Sequence, residues 1–517
     1  MTAYEHNADV VVIGAGVVGN AIARELARYD VSVVLLEREA DVAWGTTKAN
    51  TALVHAGYDA EPGTNKARFN VTGNAMYPRI CAELGVQFQN TGSLVVATSP
   101  DQVDHLRELL ERGRANGVPG LEIIGRERIV ELEPNISPEA IAALWAPTAG
   151  ITGPWELAIA YAENAVENGV KLMLSSPVTA IDVEGGRAVR VHTPGASIAA
   201  RFVVNAAGLF ADEVARMVGQ TDFEIVPRKG EYYLLDKRAG HLARRPLFPV
   251  PTAHSKGIVV TPTVDGNLLV GPNSYIVDSK ADLDTTGCGL DEVLAGAGRL
   301  VPGIPVRDNI TNFAGLRATA SPGNDFVIGP APGVPNFINA AGIQSPGLTA
   351  APAIALEIVR LLGEAGLALA PKADFNPIRP RPARFAEMTD DERAEAAACD
   401  PRWGHIVCRC ESVTEGEIVE ALHRSVPCTT VDGVKFRTRA GSGRCQGGFC
   451  GPRVVAIISR ELGIPADEVT KKGGASRILV GPSKQGNWQC EYGECGECSG
   501  PGASGARGRG EEAGAHA

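Results

Sequence analysis

Two sets of residues in this chain have the types and spacing for chemistry. The first is Cys408-Arg-Cys410 with Cys445-Gln-Gly-Gly-Phe-Cys450. Four thiolates in two close pairs can hold an iron–sulfur cluster or a zinc ion. The Cys-x-Cys pair is tighter than zinc ribbons use, which favours the cluster. Arg409, Arg437, Arg439 and Arg444 bracket the cysteines, and Gly447 and Gly448 free backbone N–H groups to bond sulfur; both features tune a redox potential. The second set is Gly14, Gly16 and Gly19 with Glu37. Gly14 permits a sharp turn, Gly16 lets the backbone approach a pyrophosphate, and Gly19 lets a helix pack close. Glu37 can accept hydrogen bonds from ribose hydroxyls. The motif alone leaves NAD and FAD both open.

Those glycines need a strand, a turn, a helix and a second strand around them. Residues 10 to 13 are an apolar run, 20 to 29 read as a helix, and 31 to 36 are a second apolar run closed by Glu37. The helix N-terminus offers free N–H groups and a positive dipole end to phosphates. Two later stretches read as returns of the chain to this site. Arg201-Phe-Val-Val-Asn-Ala-Ala-Gly-Leu-Phe-Ala-Asp212 is a strand, a small-residue turn and a helix start. Phe337-Ile-Asn-Ala-Ala-Gly-Ile-Gln-Ser-Pro-Gly-Leu-Thr-Ala350 leads into an alanine-rich helix. Enclosure of one extended cofactor from several sides, with an electron-splitting cluster downstream, selects FAD over a dissociable nicotinamide.

Further strands are read at 92 to 97, 171 to 174 and 176 to 183, and helices at 102 to 115 and 158 to 168 after Pro154. Residues 222 to 275 alternate as an antiparallel sheet, with Arg228, Lys229, Tyr232, His254 and Lys256 as a positive lining for an anionic substrate. Residues 371 to 400, rich in proline and charge, read as a linker, and the cysteine- and glycine-rich tail 483 to 517 as disordered.

The 517 residues suffice for several domains, with 44% apolar and 21% charged residues. The net charge of −11 argues against a general nucleic-acid binder. No run reaches the length of a membrane-spanning helix, and the N-terminus lacks the basic-then-apolar layout of a signal peptide. A cytoplasmic protein is expected, held at the inner membrane face, if at all, through a partner. Of eleven cysteines only Cys81 and Cys288 precede residue 398, a distribution that suits a metal or cluster module and not a disulfide scaffold.

The segment from Trp44 to Tyr58 and the 201 to 212 turn resemble the glycine-oxidase-like, or D-amino-acid-oxidase-like, flavoproteins. The cysteine module resembles the [2Fe–2S] domain related to bacterioferritin-associated ferredoxin. The chain to about residue 480 is similar to bacterial FAD-dependent glycerol-3-phosphate dehydrogenases with such a domain, through Lys48-Ala-Asn-Thr-Ala-Leu-Val-His-Ala-Gly-Tyr58, Arg228-Lys-Gly-Glu-Tyr-Tyr233 and the cysteines. The resemblance implies an α/β fold: a Rossmann-like FAD-binding domain with an inserted antiparallel-sheet substrate domain, plus a small, mainly helical C-terminal [2Fe–2S] domain. It implies an FAD-dependent oxidoreductase domain over 8 to 365, with cofactor parts about 8–90, 150–220 and 310–365 and substrate sheet about 90–150 and 222–310. The cluster domain would cover 405 to 465.

By the same resemblance Arg38, Thr46, Thr47, Asn50, Val178, Ala207, Gly208, Gly342, Ile343, Gly347, Leu348 and Thr349 contact FAD. Arg317 holds the substrate anion with Lys256 or Lys229, and Cys408, Cys410, Cys445 and Cys450 hold the cluster. His55 is the candidate base, since imidazole titrates near neutral pH. The implied reaction is hydride transfer from sn-glycerol 3-phosphate to flavin N5, giving dihydroxyacetone phosphate, with electrons leaving through the cluster to a flavoprotein or quinone-linked partner. Oxidation of L-2-hydroxyglutarate or an amine is the alternative within the fold. A flavin and iron–sulfur electron-transfer subunit without substrate chemistry is the alternative outside it.

Overall fold

Val10, Val11, Val12 and Ile13 are all buried, as an apolar run without alternation requires: both of its faces must be covered. A computed structural model of the protein describes residues 4–251 and 257–481. In it Tyr4–Ile13 is the centre of a sheet that is eight-stranded among the described residues. Val33–Leu36 and Ala196–Asn205 flank it in parallel, with Lys171–Met173 beyond the first and Val334–Ala341 beside the second. Antiparallel strands Ala180–Glu184, Arg187–His192 and Val327–Ala331 complete the sheet. Helices Val17–Leu26, Pro154–Glu167 and Gly347–Glu364 share the core under it, where Ile22, Leu26, Leu157 and Ile354 are fully buried.

The first helix starts at Val17, three residues before the sequence reading placed it. Gly16 is its N-cap and has no side chain to cap with, so the glycine turn leads straight into the helix end. The strand expected over 176 to 183 begins only at Ala180; residues 176 to 178 instead run irregularly along the cavity described below.

The second sheet is nine-stranded among the described residues. Its spine is Glu224–Leu235 paired antiparallel with Asn309–Ser321 along nearly the full length of both. Residues 309–321, grouped with the cofactor parts on sequence, therefore belong to this sheet. Leu268–Gly271, Val259–Pro262, Leu247–Pro249 and Ser93–Ala97 extend it. Helix Gly287–Leu300 and Ile129 close its separate core.

Residues 371 to 400 are more ordered than a plain linker. Thr389 and Glu392 form a reciprocal capping box on helix Asp390–Cys399. Arg379 is buried and donates to Glu163 Oε2 at 2.5 Å and to the Leu84 carbonyl at 3.0 Å. The charges that suggested a solvated segment are thus spent partly on anchoring it. Beyond it, a hairpin of Ile406–Cys408 and Val413–Thr414 and helices Glu415–Leu422, Val431–Thr438 and Gly451–Leu462 enclose a small core around Val407, Ile418, Val434 and Ile458. Among the described residues no helix is long and apolar enough to cross a membrane.

Candidate active site and cluster site

A cavity of about 410 Å³ opens where the glycine turn, the 207–208 turn and the second sheet meet. It is lined by Gly14, Gly16, Glu37, Arg38, Val178, Ala207 and Gly208. Thr46, Thr47, Asn50, His55, Tyr232, Arg317, Ile343, Gly347 and Leu348 line the same cavity. Most of the residues expected at a cofactor thus share one cavity.

The glycines differ in what they do there. Gly14 has φ +101°, and a Cβ would sit 2.6 Å from the Ala206 carbonyl oxygen. A Cβ on Gly19 would sit 1.8 Å from the Gly14 carbonyl, so Gly19 brings helix to turn and does not itself line the cavity. At Gly16 the nearest atom a Cβ would meet is Thr47 Oγ1, at 3.3 Å, which leaves a cradle of bare backbone. Glu37 Oε2 accepts from Ala15 N–H at 2.8 Å and Oε1 from Glu39 N–H at 3.0 Å. Burial pushes its carboxyl above the ordinary range. The fit to a dinucleotide is direct: bare backbone, a helix end opened by glycine and a buried acid line one cavity.

Thr47 Oγ1 accepts from Val17 N–H at 3.0 Å, and Thr46 Oγ1 donates to the Leu316 carbonyl at 2.7 Å. Asn50 ties the same loop by donating to the Thr46 and Thr47 carbonyls. Arg38 lies 3.9 Å over the Phe210 ring, a partner that the quoted 201–212 motif contained but sequence reasoning did not single out. Gly342, at φ +65°, and Thr349 do not line the cavity. Thr349 is fully buried and accepts the His55 N–H at 2.9 Å, so it holds the strand end that carries His55. The His55 ring has Nε2 3.5 Å from Ser345 Oγ and lies 6.0 Å from the Phe248 ring.

The expected basic lining is sorted by strand register. Opposite pairs Arg228–Arg317, Gly230–Gly315 and Tyr232–Phe313 share one sheet face. That face meets the cavity through Tyr232, Gly315 and Arg317. Lys229 is on the other face, buried, with Nζ 2.9 Å from Asp282 Oδ2. The assignment of Lys229 to the substrate lining is therefore corrected. His254 and Lys256 lie outside the described residues. Burial holds the Arg317 guanidinium below its usual range, with Arg228 adding to the effect and Tyr232 opposing it.

In the cysteine module Cys408 and Cys450 are buried and Cys410 and Cys445 exposed. The Cys410 and Cys445 sulfurs are 3.7 Å apart. The Cys450 thiol pulls the Cys408 thiol down to about 6, helped by N–H groups of Gly441, Glu411 and Cys410 and opposed by burial. N–H groups of Phe449 and Gly447 draw Cys445 down too. Backbone donors around sulfur anions suit thiolate ligands.

Three of the bracketing arginines are spent on the upstream body. Arg437 makes a bidentate pair with Asp41 at 2.6 and 2.9 Å. Arg439 reaches Asp265 and Glu411, and Arg444 reaches Asp236. Phe436 packs between Trp44 and Trp155, its ring 5.4 Å from each. Trp44 immediately precedes the cavity-lining Gly45, Thr46 and Thr47, so the module sits against the cofactor loop. Cys490, Cys495 and Cys498, with the tail 483 to 517, lie outside the described residues.

A sequence model described as "FAD dependent oxidoreductase" matches residues 9–361, and one described as "BFD-like [2Fe-2S] binding domain" matches 406–460. A glycerol 3-phosphate dehydrogenase of Caloramator mitchellensis is 49% identical over 476 residues, covering 92% of this chain and 99% of that protein. A glycerol 3-phosphate oxidase of Mycoplasma pneumoniae is 33% identical over 371 residues, 68% of this chain and 94% of its own. The solved structure of dithionite-reduced L-alpha-glycerophosphate oxidase from Mycoplasma pneumoniae with FAD bound superposes with a TM-score of 0.68 at 31% identity. It covers 72% of this chain and 98% of that one.

Proposed function

The chain belongs to the FAD-dependent oxidoreductase family, and from that premise we propose that it oxidises sn-glycerol 3-phosphate to dihydroxyacetone phosphate and passes the electrons to a partner. FAD supplies the hydride acceptor and the [2Fe–2S] cluster a one-electron carrier. The observation that carries the reading is Arg317: a half-buried guanidinium that lines the same cavity as His55 and the glycine turn. Among the described residues it bonds only Ser274 Oγ at 3.5 Å and the Asn273 carbonyl at 3.3 Å. A cation kept without a carboxylate partner suits an anionic substrate.

In this reading Arg317 holds the phosphate and fixes the secondary alcohol near His55. The carbon-bound hydrogen leaves as a hydride while the His55 imidazole takes the hydroxyl proton. Tyr232 and Gly315 line the same cavity. The bare backbone at Gly14 and Gly16 and the N-terminal ends of helices Val17–Leu26 and Gly347–Glu364 hold the cofactor's polar groups. Cys408, Cys410, Cys445 and Cys450 would hold the cluster, and the packing of Phe436 against Trp44, next to the cavity-lining loop, supports a role for it as the electron exit.

Anaerobic titration of the yellow-brown protein tests the substrate. Bleaching by glycerol 3-phosphate at concentrations where L-2-hydroxyglutarate and glycine do nothing is expected. Preferential bleaching by either of the latter would contradict the reading, and bleaching by none of them would point to an electron-transfer subunit.

A further inference from the structure

Arg228 and Arg317 stand directly opposite each other on Glu224–Leu235 and Asn309–Ser321 and share a sheet face; Arg317 lines the cavity, while Arg228, beside it, is not among the lining residues. Like charges in that position repel. Several other cations around this sheet are neutralised: Lys229 by Asp282, Lys237 by Glu411, Lys280 by Asp212 and Glu213. Among the described residues Arg228 and Arg317 have no such carboxylate. Arg228 Nη1 donates to Ser274 Oγ at 3.4 Å and Arg317 Nη1 to the same oxygen at 3.5 Å, both long bonds to one shared acceptor.

The backbone makes room for this pair. The next residue along each strand on the same face is glycine, Gly230 opposite Gly315. A Cβ on Gly230 would sit 3.0 Å from Arg317 Nη2 and 2.6 Å from Pro272 Cβ, so a side chain there would crowd the guanidinium. Two half-buried forks, repelling each other and short of acceptors, are stabilised by a ligand that brings two negative charges and several oxygens.

We infer that Arg228 is a second anion-binding residue which, paired with Arg317, makes the site selective for a dianion such as a phosphate ester over a monoanion such as a carboxylate. The inference rests on the proposed anionic substrate but assigns a residue and a selectivity beyond it. One guanidinium suffices for a single carboxylate; the cross-strand pair matches the charge and the oxygen count of a phosphate.

The test uses the holoenzyme and inorganic anions, read by perturbation of the flavin absorbance. Wild type should bind sulfate more tightly than formate. In Arg228→Met sulfate binding should weaken by about 10- to 100-fold, the range for a lost charge-assisted bond, while formate binding changes by less than about threefold. Arg228→Lys, which keeps the charge and loses the fork, should fall between, and it serves if Arg228→Met does not fold. Flavin content and melting temperature check that the site survives. Equal losses for both anions, no loss for sulfate, or a wild type that does not prefer sulfate would each overturn the inference. Sulfate selectivity lost in Arg228→Met, in a wild type that glycerol 3-phosphate fails to bleach, would sink the proposed substrate and leave the dianion site standing.

Discussion

Arg437→Met should release the cluster module from the body that carries the flavin cavity. Arg437 and Asp41 are 396 positions apart in the chain and bonded at 2.6 and 2.9 Å. Their side chains are 0% and 2% exposed, which puts the pair in the class where removal of one partner leaves an uncompensated buried charge. Arg437 also donates to the Val426 and Gly433 carbonyls, while its Nε has no partner among the described residues. Removing the guanidinium strands the Asp41 carboxylate beside one remaining donor, Val42 N–H at 2.8 Å. The expected loss is about 3–5 kcal/mol, or roughly a hundred- to several-thousandfold in the docking equilibrium. The double variant Asp41→Asn/Arg437→Met removes the stranded charge and keeps an acceptor for Val42, so it should recover most of that loss. Urea unfolding of the holoenzyme, followed by cluster absorbance and by flavin release, reads the module and the body separately. A single variant within about 1 kcal/mol of wild type, or a double variant no better than the single, would refute the reasoning.

His55→Ala should slow flavin reduction by glycerol 3-phosphate by about 10²- to 10⁴-fold at unchanged FAD content, as loss of a general base does; an unchanged stopped-flow rate removes His55 from the mechanism. Cys445→Ser should lose iron and the cluster's electron paramagnetic resonance signal while keeping FAD and its reduction by substrate; iron analysis against flavin content checks it. Glu415 accepts from His405 Nδ1 and Arg460 Nη2, both at 2.6 Å. Burial pushes its carboxyl up, but these two partners outweigh burial and hold it below the ordinary range. Its contribution, about 1 kcal/mol or less for so exposed a set of partners, is present in full above the ordinary carboxylate pKa and lost as pH falls through the lowered value. Glu415→Gln should therefore narrow the stability difference between neutral and acid pH in melts, and an unchanged pH profile would count against the pairing.

Local spacing made the glycine turn and the cysteine quartet readable, because each function needs residues a few positions apart. The helix start was read late because Gly16 is an N-cap without a capping side chain, the signal that usually marks such a start. Alternation along 228 to 233 was visible, yet which face met the cavity was not. That sign depends on the pairing of Glu224–Leu235 with Asn309–Ser321, and it separates Arg228 and Tyr232 from Lys229. The Asp41–Arg437 pair joins two distant segments and leaves no local trace. Its consequence is that Arg437, Arg439 and Arg444, read as bracketing a cluster, also pair with carboxylates of the upstream body. The 371–400 segment was read from its prolines and charges, while burial of Arg379 against Glu163 needed the fold.

The most direct test of the account is anaerobic stopped-flow mixing of the holoenzyme with glycerol 3-phosphate, watching the flavin and the cluster in the same reaction. The account predicts flavin bleaching whose rate saturates with substrate, followed by appearance of the reduced-cluster signal in freeze-quenched samples. A flavin that stays oxidised, or a cluster that stays oxidised after the flavin has bleached, would contradict it.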